Sequence, residues 1–334
     1  MAIRISYESD ADSAVLADKT VVVLGYGNQG RAHALNLRDS GCRVLVGQRD
    51  GGANFNRARE DGFDPRPIED VAPSADLLIL ALPDEAMGGI YTQQISPLMR
   101  PGAALGFIHG FAIRFEQIVA ARDSDVVMVS PKGPGRLVRD AFLRGGGLPC
   151  LVAVHQDASG SARALALAWG RAIGGGRGGM IETSFAAECE SDLFGEQAVL
   201  CGGVIELMKA AFDVLVEAGY PEELAYIECI HEVKQVVDLQ YADGLAGMRR
   251  QISTTAAYGG LTVGPKLIDD AVRRRMREAL REIRDGTFAR RWVSECAMGR
   301  PNFRRLQDAE ASHRSEPVGR RVRELAVGAL PRGD

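Results

Sequence analysis

The sequence predicts an α/β domain built on a doubly wound parallel sheet, followed by an all-α domain. Three observations carry that prediction. A continuous β-branched run passes into a glycine turn and a helical segment; further short apolar runs recur with helical stretches between them; and from about residue 184 the apolar spacing becomes that of helices. That change puts residues 1–183 in the first domain and 184–334 in the second. A chain of 334 residues is long enough for two packed domains.

Composition sets the outer limits. With 46% hydrophobic and 25% charged residues, the chain reads as an ordinary globular protein. A formal net charge of −4 gives no electrostatic footprint for nucleic acid. The Arg-rich stretch AVRRRMREALREIRD (271–285) alternates bases with acids and apolar residues, as a solvated helix face does. No run approaches the ~20 apolar residues of a membrane span. The opening MAIRISYESDADSAVL lacks the apolar core of a signal peptide, so a cytoplasmic location without membrane partners is expected. The six cysteines form no CxxC pair and read as reduced packing residues. Only five of the 40 basic residues are Lys, which draws interest to each as a place where a compact, adjustable ammonium matters.

Along the first domain, TVVVL (20–24) is a strand buried on both faces. Gly25-x-Gly27-x-x-Gly30 follows at once, then a helical segment over about 31–38 and a second strand in CRVLVGQ (42–48). Between a strand and a helix this pattern is a Rossmann-like dinucleotide turn. Gly25 makes the tight bend, Gly27 admits a pyrophosphate, Gly30 lets helix and strand pack, and the helix N-terminus holds the phosphates. The loop GQRDGGANFN (47–56) is expected against the adenosine ribose, where Arg49 favours a 2′-phosphate and Asp50 a free hydroxyl. NADPH and NADH therefore both stay open. Further strands are expected within 75–83, 102–110, 125–135 and 149–157. Ligands of such sheets sit at the C-terminal ends of the strands, where His109, Pro131 and Lys132 fall.

The second domain opens with two largely apolar helical stretches, 191–220 and 221–244, with Pro221 suited to a first turn. Each carries acids one turn apart on one face: Asp192 with Glu196, and Glu228 with Glu232. One such pair is ordinarily a solvated surface. Two on successive apolar helices suggest four carboxylates for a hard cation such as Mg²⁺. His231 points about 100° off the face of its neighbouring glutamates and reads as a packing or capping residue.

Over almost its whole length the chain resembles ketol-acid reductoisomerase of the short, bacterial type. The resemblance rests on GYGNQGRAHALNLRDSG, HGF, PKGPG, RGGGLPCLVAVHQDASG, CESDLFGEQAVLCGG, ECIHEVK, GPK and DGTFARRW. It implies alkyl migration in a 2-acetohydroxy acid followed by hydride reduction, with NADPH or NADH and two Mg²⁺ in one site. It implies a knotted or interlocked helical domain, so that a homodimer is the smallest complete unit. Asp192 and Glu196 would be metal ligands, with Glu228 and Glu232 supplied by a partner subunit. Glu232 would also transfer a proton, and His109 and Lys132 would line the site as catalytic residues. Ile252, Ser253 and Ala256 would meet substrate. The cofactor would lie on Gly25, Tyr26, Gly27, Asn28, Gln29, Gly30, Arg49, Asp50, Asn54, Pro83, Asp84 and Gly135.

Several positions depart from the family pattern. Arg136 stands where His is common, Ala112 where Asn is, and Ala257 where Glu is; Gly52 and Asn54 replace serines that grip a 2′-phosphate. The leading expectation is an enzyme acting on 2-acetolactate and 2-aceto-2-hydroxybutyrate in valine and isoleucine synthesis. A second is a specialised paralogue for a related 2-keto or 2-hydroxy-3-keto acid. A third, a catalytically silent binding protein, is disfavoured by the complete carboxylates and Lys132.

Overall fold

The computed structural model describes residues 3–327. It divides into two compact units, Met1–Ser191 and Asp192–Asp334. The first holds an eight-stranded sheet in the order β1-β8-β7-β6-β5-β4-β2-β3. Its strands are β1 (Ile5–Ser6), β2 (Thr20–Leu24), β3 (Arg43–Gly47), β4 (Leu77–Leu80), β5 (Ala104–Phe107), β6 (Val126–Pro131), β7 (Cys150–Gln156) and β8 (Met180–Glu182). Strands β2 to β6 are mutually parallel, and the order reverses between β2 and β4, which flank the first βα turn. The interleaved helices are α1 (Asn28–Asp39), α2 (Ala53–Glu60), α3 (Ile68–Val71), α4 (Asp84–Ile90), α5 (Phe111–Arg114), α6 (Gly135–Leu143), α7 (Ala162–Ala172) and α8 (Gly175–Gly178).

The continuous apolar strands feed two cores. Val21 and Val23 of β2 face a core with Ala34 and Leu37 of α1 and Leu165 and Trp169 of α7. Val22 and Leu24, pointing the other way, join Val71 and Met87 on the opposite face. Both faces are covered, which is why the strand carries no polar alternation.

One strand runs against the sequence expectation. β7 lies antiparallel to β6, pairing Cys150 with Pro131, and β8 then runs parallel to β7. The cause lies in the connection. α6 is nine residues and returns through 144–149 to the end of the sheet it left, so the next strand starts where β6 finished.

The helical unit follows α9 (Phe185–Gly195), which begins in the first unit. It contains α10 (Gly203–Glu217), α11 (Glu222–Tyr226), α12 (Val233–Gln251), α13 (Thr254–Leu267), α14 (Asp270–Arg284), α15 (Thr287–Ala297), α16 (Pro301–Ala311) and α17 (Ser315–Val327). The expected long helices are interrupted by single π turns, Glu196–Leu200 and Ile227–His231. At Gly244 the backbone leaves the helical region (φ 71°, ψ 173°), which bends α12. A small core joins Phe212, Ala225, Tyr226, Val318 and Val322. No helix among the described residues is long and apolar enough to cross a membrane.

Candidate active site

The residues expected to hold a dinucleotide collect at the C-terminal ends of the parallel strands. Gly25 follows β2 with φ +94°, and a Cβ there would overlap the carbonyl oxygen of Ala81, just after β4. A Cβ on Gly30 would overlap Gly25 O, while the space before Gly27 is open. That open cradle leads to the N-terminus of α1, whose N-cap Gly27 supplies no side-chain acceptor, so the geometry suits a pyrophosphate. Gly135 opens α6 against the same turn, with no room for a Cβ beside Asn28 O, and Gln29 Nε2 donates to Gly133 O at 2.9 Å. Two helix N-termini therefore converge there. Arg49 and Asp50 are exposed between β3 and α2, Asn54 lies half-buried on α2, and Pro83 and Asp84 start α4.

Beside this cradle His109 and Lys132, after β5 and β6, are brought together by a residue that the sequence reading did not single out. Glu188 on α9 is 0% exposed. One carboxylate oxygen accepts from Lys132 Nζ and from Ser130 Oγ, each at 2.8 Å. The other accepts from Gly110 N–H at 2.9 Å and lies 3.1 Å from His109 Nδ1. Burial opposes charge on both partners. The bonds and charges they exchange overcome it, holding the Glu188 carboxyl well below the carboxylate range. His109 is likewise held well above the imidazole range by its bonds to Cys189 and Glu188 and by their field. Cys189 Sγ stands 3.8 Å from His109 Nε2, so both ring nitrogens have neighbours. The result is a fixed carboxylate carrying two cations. A signal for Glu188 was present, since it lies four residues before Asp192 and extends the acidic spacing to 188, 192 and 196 on one helical face.

In the helical unit, Asp192 is half-buried near the end of α9, and Glu196 is exposed at the start of the first π turn. Glu228 lies within the second π turn and Glu232 directly after it, both exposed. Each acid pair thus has one member in a π turn, Glu196 and Glu228, a distortion that recurs at functional sites. Among the described residues, no three of these four carboxylates come within ligand reach of one another in the single chain. Their donors are all oxygen, which suits a hard cation such as Mg²⁺. Ser253 caps α13, its Oγ accepting from Ala256 N–H at 3.1 Å, with Ile252 just before it. Of the departing positions, Ala112 is buried on α5, Ala257 half-buried on α13, and Arg136 exposed at the start of α6.

A glycine turn at the point where strand order reverses, with a charged cluster beside it, defines a Rossmann-type oxidoreductase that binds a nicotinamide dinucleotide. Comparison with known proteins narrows the class. Residues 15–179 match the family model for the acetohydroxy acid isomeroreductase NADPH-binding domain, and 185–327 that for the ketol-acid reductoisomerase C-terminal domain. The chain belongs to the ketol-acid reductoisomerase family. It is 48% identical over 322 residues to a ketol-acid reductoisomerase (NADP(+)) of Chloroherpeton thalassium, covering 96% of this chain and 95% of that one. It superposes at TM-score 0.94 and 45% identity on an NADH-preferring ketol-acid reductoisomerase from an uncultured archean, covering 96% and 99% of the two chains. A semialdehyde dehydrogenase NAD-binding protein of Cupriavidus necator (TM-score 0.61, 20% identity, 80% and 99% covered) shares the fold alone.

Proposed function

We propose that the protein converts 2-acetolactate and 2-aceto-2-hydroxybutyrate to 2,3-dihydroxy-3-methyl acids, with Mg²⁺ and a reduced nicotinamide dinucleotide, in valine and isoleucine synthesis in the cytoplasm. The observation that carries this reading is the buried Glu188 holding Lys132 and His109 at the strand ends, next to the glycine turn. Such a substrate carries a carboxylate, a C2 hydroxyl and a C3 ketone, and negative charge moves between its oxygens as it reacts. In the migration the C2 hydroxyl loses its proton, the alkyl group moves with its electron pair from C2 to C3, and the C3 oxygen gains a proton. Hydride and a further proton then reduce the new C2 ketone.

Bound divalent ions would supply Lewis acidity, and the dinucleotide the hydride. Asp192, Glu196, Glu228 and Glu232 are the residues that would hold the ions. Lys132 presents a fixed positive charge where oxyanion character develops, and Glu188 keeps that ammonium in place before the substrate arrives. His109 contributes a second fixed positive charge. Glu232 is assigned the proton transfer at a substrate oxygen. Ile252, Ser253 and Ala256, at the start of α13, are assigned to substrate contact.

The active assembly is proposed to be at least a homodimer with interlocked helical domains. Exposed apolar side chains on that unit support this, among them Tyr241 at 87% and Leu245 at 71%. Arg49 and Asp50 are assigned the choice between NADPH and NADH. Relatives named for each cofactor make both worth assaying. Turnover of 2-acetolactate with each dinucleotide, with and without Mg²⁺, tests the proposal. Turnover of an already rearranged 3-hydroxy-2-keto acid alone would contradict it.

A further inference from the structure

Tyr26 lies inside the glycine turn, yet its side chain is 0% exposed and cannot touch a cofactor. Its backbone N–H donates to Gln48 Oε1 at 2.9 Å, and its hydroxyl donates to Asp61 Oδ2 at 2.9 Å. Gln48 is the first residue after β3, and Asp61 is the C-cap of α2. The segment between them, 49–60, contains the exposed loop 49–52 and all of α2. One residue of the pyrophosphate turn therefore grips both ends of 49–60, which includes most of the loop 47–56 expected to meet the adenosine ribose. The far end is held hardest. Arg31 binds the Asp61 carboxylate through Nε at 2.6 Å and Nη2 at 2.9 Å, and Arg38 Nη1 donates to Asp61 O at 2.6 Å. Phe63 closes the cluster, with its ring edge-on to Tyr26 at 5.7 Å and the Arg38 guanidinium 4.7 Å from its centre.

We propose that Tyr26, Gln48 and Asp61 form a clamp that sets the distance from the pyrophosphate turn to the ribose-facing loop, and so the discrimination between NADPH and NADH. Tyr26 is a positioning residue: it acts on the cofactor through the loop that it holds. A preorganised loop spares the ordering cost of binding, and a loosened one presents Arg49 and Asp50 at variable distance from the 2′ position. The inference rests on reading 47–56 as the ribose segment.

The test is equilibrium binding of NADH and NADPH, followed by quenching of protein fluorescence, for the wild type, Tyr26→Phe and Gln48→Met, with thermal melting alongside. A net hydrogen bond corresponds to about 2- to 10-fold in an equilibrium constant. The expected result is that the preferred dinucleotide weakens by about that factor in each variant, and that the ratio of the two dissociation constants moves toward one by about threefold. A fall in melting temperature with both constants unchanged would overturn the clamp and leave the cluster a packing feature. A wild type that binds both dinucleotides with a preference indifferent to Arg49→Ala and Asp50→Ala would instead overturn the ribose assignment.

Discussion

At the scale of single residues, the site is organised around a fully buried carboxylate. Removing Glu188 from solvent costs several kcal/mol unless it is matched, and Lys132, His109, Ser130 and Gly110 N–H match it. Glu188→Gln keeps the shape and removes the charge that Lys132 and His109 share. Turnover should fall by about 100-fold or more, and the melting temperature should drop with it; unchanged steady-state rates would contradict the role. His109 and Lys132 were legible from their places after predicted strands. Glu188 offered only its acidic spacing with Asp192 and Glu196; its role did not show, because its partners lie 56 to 79 residues away and only the folded sheet edge brings them to it. His33 gives a second residue-level expectation. It is buried on α1, accepts from Trp169 Nε1 at 3.1 Å, and is pushed down to about 3 by burial. The unfolded chain therefore binds a proton that the folded one refuses. Stability should be full above about pH 6.5 and fall as pH drops toward 3, by up to about 1.4 kcal/mol per pH unit. Chemical denaturation across that window should show a shallower acid limb in His33→Gln; an identical limb would contradict it.

At the scale of elements, the parallel core strands were readable because their apolar runs are continuous and punctuated by glycine. The antiparallel entry of β7 was not, since a strand's own residues say nothing about its direction; the short return through α6 decides it. The π turns were equally hidden. One extra residue in a turn barely disturbs apolar spacing, although it changes how each acid pair is presented. The contact of α6 with the glycine turn carries a prediction. In Gly135→Ala the new methyl meets Asn28 O, so α6 or the turn must shift. Overpacking of this kind costs about 1–3 kcal/mol, and here it falls on the cofactor cradle. The KM for the dinucleotide should rise by about tenfold, read from initial rates at varied cofactor; an unchanged KM would show that the cradle does not depend on this approach.

At the scale of the whole molecule, the helical unit leaves large apolar side chains in water that a folded protein ordinarily covers. Sedimentation should give at least twice the monomer mass. Tyr241→Lys with Leu245→Lys should shift it toward the monomer and lower activity together; a fully active monomer would contradict the proposed homodimer. Nothing in the fold accounts for Ala112, Arg136 and Ala257. The most direct test of the central claim is the loss of nicotinamide absorbance on adding 2-acetolactate to the wild-type protein, with NADH or NADPH, with and without Mg²⁺. The account predicts turnover that requires Mg²⁺. Turnover that is indifferent to Mg²⁺, or none with either dinucleotide while both bind, would contradict it.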